Sequence, residues 1–203
     1  MSETSEQRFR RSEQQAGRLR RLVLSISIGF GGLLTLGLPG CATTAKTTPL
    51  PDSVVAEIDR LIEECEFEDE KATAEQRQES LDSVERYDLN GDEFSDYLII
   101  DAAVACPAGA SFRHGNSGMG VIIFAGSRSG AEKTLDAVAH DVRTEARPNA
   151  PHQLWLLLGG TLCGYDPVAT RSDLKACERP LEWDAKTAEF VLAPDDQTLF
   201  PEP

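Results

Sequence analysis

The sequence predicts an α+β domain in which a mainly antiparallel β-sheet is packed against one helix near its amino end. Three observations support this class: an apolar stripe at helical spacing begins near residue 52, short β-rich runs bounded by Gly, Asp and Asn follow it, and no internal repeat is visible. The 203 residues are enough for one domain of ordinary size. We therefore divide the chain into a signal segment (1–40), a flexible tether (41–50), a single domain (51–195) and a tail (196–203).

The first forty residues have the pattern of an export signal. Six arginines lie between Arg8 and Arg21, and an uncharged, largely apolar stretch follows them. The run Leu38-Pro39-Gly40-Cys41 then resembles the lipobox of bacterial lipoproteins, whose cysteine carries the lipid. This resemblance implies lipidation of Cys41, attachment to a membrane through that lipid, and a place in the bacterial cell envelope facing the periplasm or the exterior.

Other fates of this segment stay open. Pro39 is an uncommon residue in a lipobox, and plain cleavage after Ala45 would also give an exported protein. The pair Arg20-Arg21 is weakly similar to a twin-arginine signal. An uncleaved membrane anchor is disfavoured, because the apolar run is near the lower length limit for a span and contains four glycines.

Residues 42–51, which cover most of the tether and the first residue of the domain, have two prolines and no apolar periodicity, and α-helical spacing begins after them. Val54, Ile58, Leu61 and Cys65 recur on one face, which predicts a packed helix and turns Cys65 toward the core. The acidic stretch 66–82 has little to bury, so we expect a solvated loop or a polar helical turn there.

The remaining segments alternate between apolar runs and turn-rich loops. Strands are predicted at Val84–Tyr87, Tyr97–Asp101, Gly120–Ala125 and His152–Leu158, and a hairpin at Leu181–Leu192 with its turn at Asp184–Thr187. Residues 102–119 have the composition of a long surface loop that needs a tether such as a disulfide. The segment 131–143 fits either a helix or a strand and stays open, and we expect residues 194–203 to fray.

The five cysteines fit an oxidising compartment. Assigning Cys41 to the lipid leaves an even set, Cys65, Cys106, Cys163 and Cys177. Three pairings of these four are possible. We expect Cys65–Cys106, because Cys65 lies on the buried helix stripe near a loop that needs fixing, and Cys163–Cys177, because these two flank one loop between adjacent strands. No Cys-x-x-Cys pair indicates a zinc ribbon or a thioredoxin-type centre.

Charge restricts the possible partners. Removing residues 1–40, with six arginines and three glutamates, leaves 14 basic and 31 acidic residues and a net charge of −17. Such a surface repels nucleic acid and anionic lipids, so no nucleic-acid partner is expected. Cations or a basic protein would be attracted, for example a lysozyme-like enzyme that the domain would inhibit. Solubility or a salt-adapted source explains the same charge without a partner.

One acidic stretch, Asp88-Leu-Asn-Gly-Asp-Glu-Phe-Ser-Asp96, is the candidate site. Its side chains place oxygens at loop positions 1, 3, 5 and 9, and the carbonyl of position 7 adds a further ligand, which is the donor chemistry that calcium requires. The predicted calcium ligands are Asp88, Asn90, Asp92, Phe94 and Asp96.

Two positions depart from the familiar calcium loops. Position 6 is usually glycine because its φ is positive, and here it is Glu93; position 12 is Ile99, which excludes an EF-hand. The metal-free alternative is a turn held by its own Asx side chains.

With the strands that follow it, this loop resembles one calcium-loop repeat of the FG-GAP or integrin-type propellers. Over residues 55–192 the chain also resembles small exported proteobacterial proteins, largely uncharacterised, that carry a single such loop. The resemblance implies a compact exported domain with disulfides and brings no agreed activity. Too few strands are predicted for a propeller of several blades.

No catalytic residues are predicted. Gly-x-Ser-x-Gly, His-Glu-x-x-His, Walker and Gly-x-Gly-x-x-Gly motifs are absent from the sequence. His114 lies near Ser111 and Ser117, and His140 precedes Asp141, but sequence proximity alone does not make a triad. A binding or structural lipoprotein is therefore favoured, with an envelope hydrolase of unknown substrate as the alternative.

Overall fold

A computed structural model describes residues 48–113, 118–165 and 175–200. The first two elements are the helices α1 (Asp52–Glu63) and α2 (Ala74–Asp82). Four strands form sheet 1: β1 (Glu85–Tyr87), β2 (Asp96–Ile100), β3 (Met119–Ser127) and β4 (Gly130–Ala139). Four more form sheet 2: β5 (Asp141–Glu145), β6 (Gln153–Gly159), β7 (Ala176–Asp184) and β8 (Glu189–Leu192).

Short helical segments fill the connections. They are a four-residue helix, α3 (Ala110–Arg113), and three 3₁₀ turns at Asp101–Ala103, Gly160–Cys163 and Asp195–Gln197. Among the residues that the structure describes, no helix has both the length and the apolar character needed to cross a bilayer.

Both sheets are antiparallel meanders. Their strand orders are β1-β2-β3-β4 and β5-β6-β7-β8, so every strand pairs with its neighbour in sequence. This confirms the α+β class with mainly antiparallel strands. The expected single sheet is wrong, because the residues that the structure describes form two sheets of four strands each.

The two sheets and α1 form three layers. One apolar cluster joins α1 residues such as Val54 and Ile58 to Ile99 and Ile122 of sheet 1. A second cluster joins the other face of sheet 1 to the inner face of sheet 2, where Leu156 lies. Sheet 1 is thus covered on both faces, and this explains why β2 reads as an unbroken apolar run in the sequence.

Helix α1 forms as predicted, because its apolar residues recur every three or four positions and line one face. Its buried face also carries one charge, Glu57. The Glu57 carboxylate accepts hydrogen bonds from Arg60 at 2.6 Å and from Lys133 of β4 at 3.0 Å. This ion pair fastens the helix to the edge of sheet 1.

Helix α2 occupies part of the stretch for which a loop or a polar turn was expected. Thr73 and Gln76 form a reciprocal capping box at its amino end, which satisfies two backbone N–H groups. The helix buries only Ser80, whose hydroxyl accepts a hydrogen bond from the Ala105 N–H at 2.9 Å. A nearly all-polar sequence therefore forms a helix that is held by its cap, by the Arg77–Asp59 ion pair with α1 and by the packing of Leu81 against the apolar cluster.

The segment 131–143, which the sequence left open, contains the end of one sheet and the beginning of the next. It belongs to β4 and β5, which are separated by His140 alone. The His140 N–H donates to the Leu157 carbonyl at 2.7 Å, at the point where the chain passes from sheet 1 to sheet 2.

Both expected disulfides are present. Cys65 pairs with Cys106 and Cys163 pairs with Cys177, with Cα atoms 5.0 and 5.7 Å apart. The first tethers the loop after β2, as predicted. Arg113 of α3 adds to this tether, because its guanidinium donates to the carbonyls of Asp101, Val104 and Leu61.

The carboxyl end of the described chain runs along β7. Residues Glu178 and Leu199 exchange both backbone hydrogen bonds, each 2.8 Å long. Part of the segment that was expected to fray is therefore paired with sheet 2.

Candidate metal-binding loop

The acidic loop connects β1 to β2, as predicted. Tyr87 and Asp96 are register partners in this antiparallel pair, so the eight residues between them reverse the chain and β2 pairs directly with β1. This closure brings Asp88, at the first position of the loop, beside Asp96, at the ninth.

Asx side chains hold the loop from within. The carboxylate of Asp88 accepts a hydrogen bond from the Gly91 N–H at 2.6 Å, the amide oxygen of Asn90 accepts one from the Asp92 N–H at 3.0 Å, and the carboxylate of Asp92 accepts one from the Phe94 N–H at 2.9 Å. Such bonds replace a regular backbone turn. The metal-free alternative and a calcium loop share these contacts.

Two residues of the loop have left-handed backbone. Gly91 has a φ of 85° and Glu93 a φ of 68°. A positive φ was expected at position 6 from the comparison with calcium loops, and Glu93 adopts it although it has a side chain. This conformation costs a non-glycine residue about 1 kcal/mol.

The loop also rests on the segment before β6. The His152 N–H donates to the Asp88 carbonyl at 2.8 Å. A Cβ on Gly91 would lie 2.9 Å from Cγ of Pro151, so the two segments approach closely at that point. Sequence reasoning missed this contact, because no local pattern links residues sixty positions apart.

Asp96 is the most constrained of the predicted ligands. Its side chain is fully buried, and its two carboxylate oxygens accept hydrogen bonds from the Leu89 N–H at 2.7 Å and the Gly126 N–H at 3.0 Å. Burial, opposed by the two backbone hydrogen bonds and assisted by the charges of Asp92 and Asp88, raises the pKa of Asp96 to about 6. Asp96 therefore fastens the loop to the end of β3.

Gly126 makes this contact possible. A Cβ at this position would lie 2.0 Å from the backbone oxygen of Ser95. Only a glycine allows β3 to approach the loop this closely.

The oxygen donors of the loop suit a hard cation, but its carboxylates alone do not form a complete metal site. Within residues 48–113, 118–165 and 175–200, no group of three or more His, Cys, Asp or Glu side chains is placed to hold a metal ion. The two remaining predicted ligands are the amide oxygen of Asn90 and the carbonyl of Phe94. The predicted ligands thus share one short loop, and both oxygens of Asp96 are engaged by backbone N–H groups.

The other residues singled out from the sequence contribute no assembled site. Cys41, His114 and Ser117 lie outside the described residues. His140 is held at the junction between the two sheets, and Asp141 accepts a hydrogen bond from the Val142 N–H at 2.8 Å.

A cavity of about 630 Å³, which the sequence did not indicate, lies between α1, α2 and β1. Leu81, Val84 and Arg86 form part of its wall. None of the predicted site residues lines it.

Comparison with known proteins gives no relative for this chain: no protein family, no curated protein and no solved structure matches it significantly.

Proposed function

We propose that this protein is a lipid-anchored lipoprotein of the bacterial cell envelope, with an exported binding or structural domain that is stapled by disulfides and calcium. The pairing of the cysteines carries this proposal. Four of the five cysteines form two disulfides within the domain, which leaves Cys41 alone, directly after Leu38-Pro39-Gly40. Disulfides persist in oxidising compartments, and an unpaired thiol there is accounted for if it carries a lipid.

The anchor is tested by Cys41→Ser. The wild-type protein is expected in the membrane fraction with the mass of its acyl chains, and the variant in the soluble fraction without that mass. Pro39→Ala is the matched control, because it keeps Cys41 and should stay with the membranes. Membrane retention of Cys41→Ser with an unchanged mass would refute the anchor.

Calcium is proposed to bind through Asp88, Asn90, Asp92 and Asp96, with the Phe94 carbonyl as a further ligand. Support comes from the left-handed backbone at loop position 6 and from the gathering of Asp88, Asp92 and Asp96 in one short loop, because a cation there would relieve the repulsion among these carboxylates. The ion would supply positive charge and a cross-link between the loop and β2. Exported modules bind calcium at about 10⁻⁴ to 10⁻³ M, so its effect belongs to the millimolar range.

Thermal unfolding with calcium or with a chelator tests this site. At a concentration ten times the dissociation constant, calcium should stabilise the wild-type domain by about 1.4 kcal/mol. Asp92→Ala should remove that gain, and Asp69→Ala, which deletes an exposed acid outside the loop, should keep it. If neither calcium nor chelator changes the melting temperature of the wild type or of Asp92→Ala, the loop is the metal-free turn and the calcium proposal is wrong.

A further inference from the structure

The outer face of sheet 2 carries a row of side chains that belongs to neither apolar cluster. Strand β6 alternates, with Leu154, Leu156 and Leu158 in the core between the sheets and the intervening residues turned outward. The register aligns Arg143 of β5 with Trp155 of β6 on that outward side, beside Pro180 of β7, which is itself buried. We call this surface the outer face.

Trp155 lies in the middle of the outer face in a fixed orientation. The guanidinium of Arg143 lies 5.0 Å from the centre of its ring, and its indole N–H donates to Glu145 at 3.1 Å. Arg143 is held in turn by Glu178 at 2.8 Å. A tryptophan ordered in this way loses little conformational freedom when a partner covers it.

Apolar side chains continue on both sides of the tryptophan. Leu157 follows it along β6, half-buried, and Val191 of β8 is 39% exposed. The outer face thus combines a tryptophan with an arginine, two residue types that are enriched at the energetically dominant positions of protein interfaces, and aliphatic side chains adjoin them.

Carboxylates surround this centre. The register and the alternation of the strands place six acids on the outer face: Asp141, Glu145, Glu178, Glu182, Asp184 and Glu189. Arg143 is the one cation among the strand residues of this face, all of which the structure describes. A second copy of the chain would present the same acids and be repelled, as would a nucleic acid or an anionic membrane.

We propose that the outer face of sheet 2 is a docking surface for a cationic protein. Trp155 would make the central apolar contact, and the surrounding carboxylates would pair with lysine or arginine side chains of the partner. This inference rests on the proposed role of the domain as a binding module, and it specifies both the surface and the charge of the partner.

The test measures binding of the full chain, in mild detergent, to a cationic lysozyme by calorimetry at low salt. The same lysozyme with its lysines succinylated keeps its size and loses its positive charge, so it should not bind. Trp155→Ala should weaken binding to the cationic form by about tenfold or more. Val191→Ser changes an exposed position on the same face, so it should weaken binding without threatening the fold if Trp155→Ala proves unstable.

Matched charge variants separate docking from general attraction. Glu182→Gln with Glu189→Gln removes two acids from the outer face, and Glu68→Gln with Asp69→Asn removes two exposed acids elsewhere. We expect the first pair to weaken binding severalfold and the second by less than about twofold. Equal weakening by both pairs, or no binding of cationic lysozyme at low salt, would overturn the proposal. The anchor and calcium experiments do not involve this face, so their outcomes are independent of this one.

Discussion

Asp96 shows how one side chain can decide the shape of a loop. Its carboxylate holds the N–H groups of Leu89 and Gly126 and lies in the interior without any exposed surface. Burial raises its pKa from 3.8 to about 6. Because the folded-state pKa lies above the unfolded value, the folded state holds the proton more tightly. The contribution of Asp96 to the free energy of unfolding is therefore fully present below pH 4 and is lost as the pH rises through 6.

The first prediction is the titration of Asp96 in the presence of a chelator. Carboxyl chemical shifts should report a pKa near 6 for this group. Asp96→Ala should lower the free energy of unfolding by about 2–4 kcal/mol in urea titrations, since it leaves two buried N–H groups without an acceptor. Asp69→Ala, at an exposed position, is the control and should change stability by less than about 0.5 kcal/mol. A titration near the ordinary value of 3.8 would contradict this account.

The spacing of the acidic loop was sufficient to predict that it joins two strands and that position 6 turns with a positive φ. The burial of Asp96 was beyond a local pattern, because its second donor, Gly126, lies 30 residues further along the chain. Spacing identifies oxygens within one loop, whereas tertiary contacts determine which of them are engaged by the backbone.

At the level of elements, the two disulfides close loops of different length. Cys65 and Cys106 are 41 residues apart, and Cys163 and Cys177 are 14 apart. In the chain-entropy description a longer loop loses more freedom in the unfolded state when it is closed, so the first disulfide should stabilise the domain more than the second.

The second prediction follows from these lengths. Replacing both Cys65 and Cys106 by Ala should lower the free energy of unfolding by about 4 kcal/mol, and replacing Cys163 and Cys177 by about 3 kcal/mol. Guanidinium titrations of the two double variants measure the difference. Peptide mapping of the unreduced protein provides the control, and a peptide that joins Cys65 to Cys163 or Cys177 would refute the pairing.

The strands and α1 were predictable because their apolar residues follow the helical or the alternating period. The assignment of strands to two sheets was not predictable, because the alternation of apolar residues along a strand does not indicate which other strand it pairs with. Residues 131–143 show the difficulty: Leu135, Val138 and Val142 fit a helical spacing, yet Val138 is 58% exposed on a strand. Helix α2 carried a usable signal in Thr73-x-x-Gln76, but its polar composition obscured it.

On the scale of the whole molecule, the excess of negative charge is the main electrostatic feature. The part of the chain after residue 40 carries a net charge of −17, because its 31 acidic residues outnumber its 14 basic ones, some of which pair with acids as Lys133 does with Glu57. Repulsion among like charges destabilises a compact state, and added salt screens it over roughly 10 Å at 0.1 M.

The third prediction is therefore a melting temperature that rises by a few degrees when potassium chloride is raised from about 20 mM to about 500 mM, with a chelator present to exclude calcium effects. Glu68→Lys with Asp69→Lys, which adds four positive charge units at exposed positions, should reduce this dependence. A melting temperature that falls with salt would show that specific ion pairs outweigh the general repulsion.

The order of the strands has a consequence for how the protein is made. Each meander pairs only consecutive strands, and each disulfide joins a cysteine to the next one along the chain, one in each half of the domain. If the chain is exported amino end first, as proposed, sheet 1 and Cys65–Cys106 can be complete before Cys163 emerges. With Cys41 taken by the proposed lipid, an oxidase that joins the remaining thiols in order of appearance would then yield the native bonds, so the protein should mature in cells that lack a disulfide isomerase.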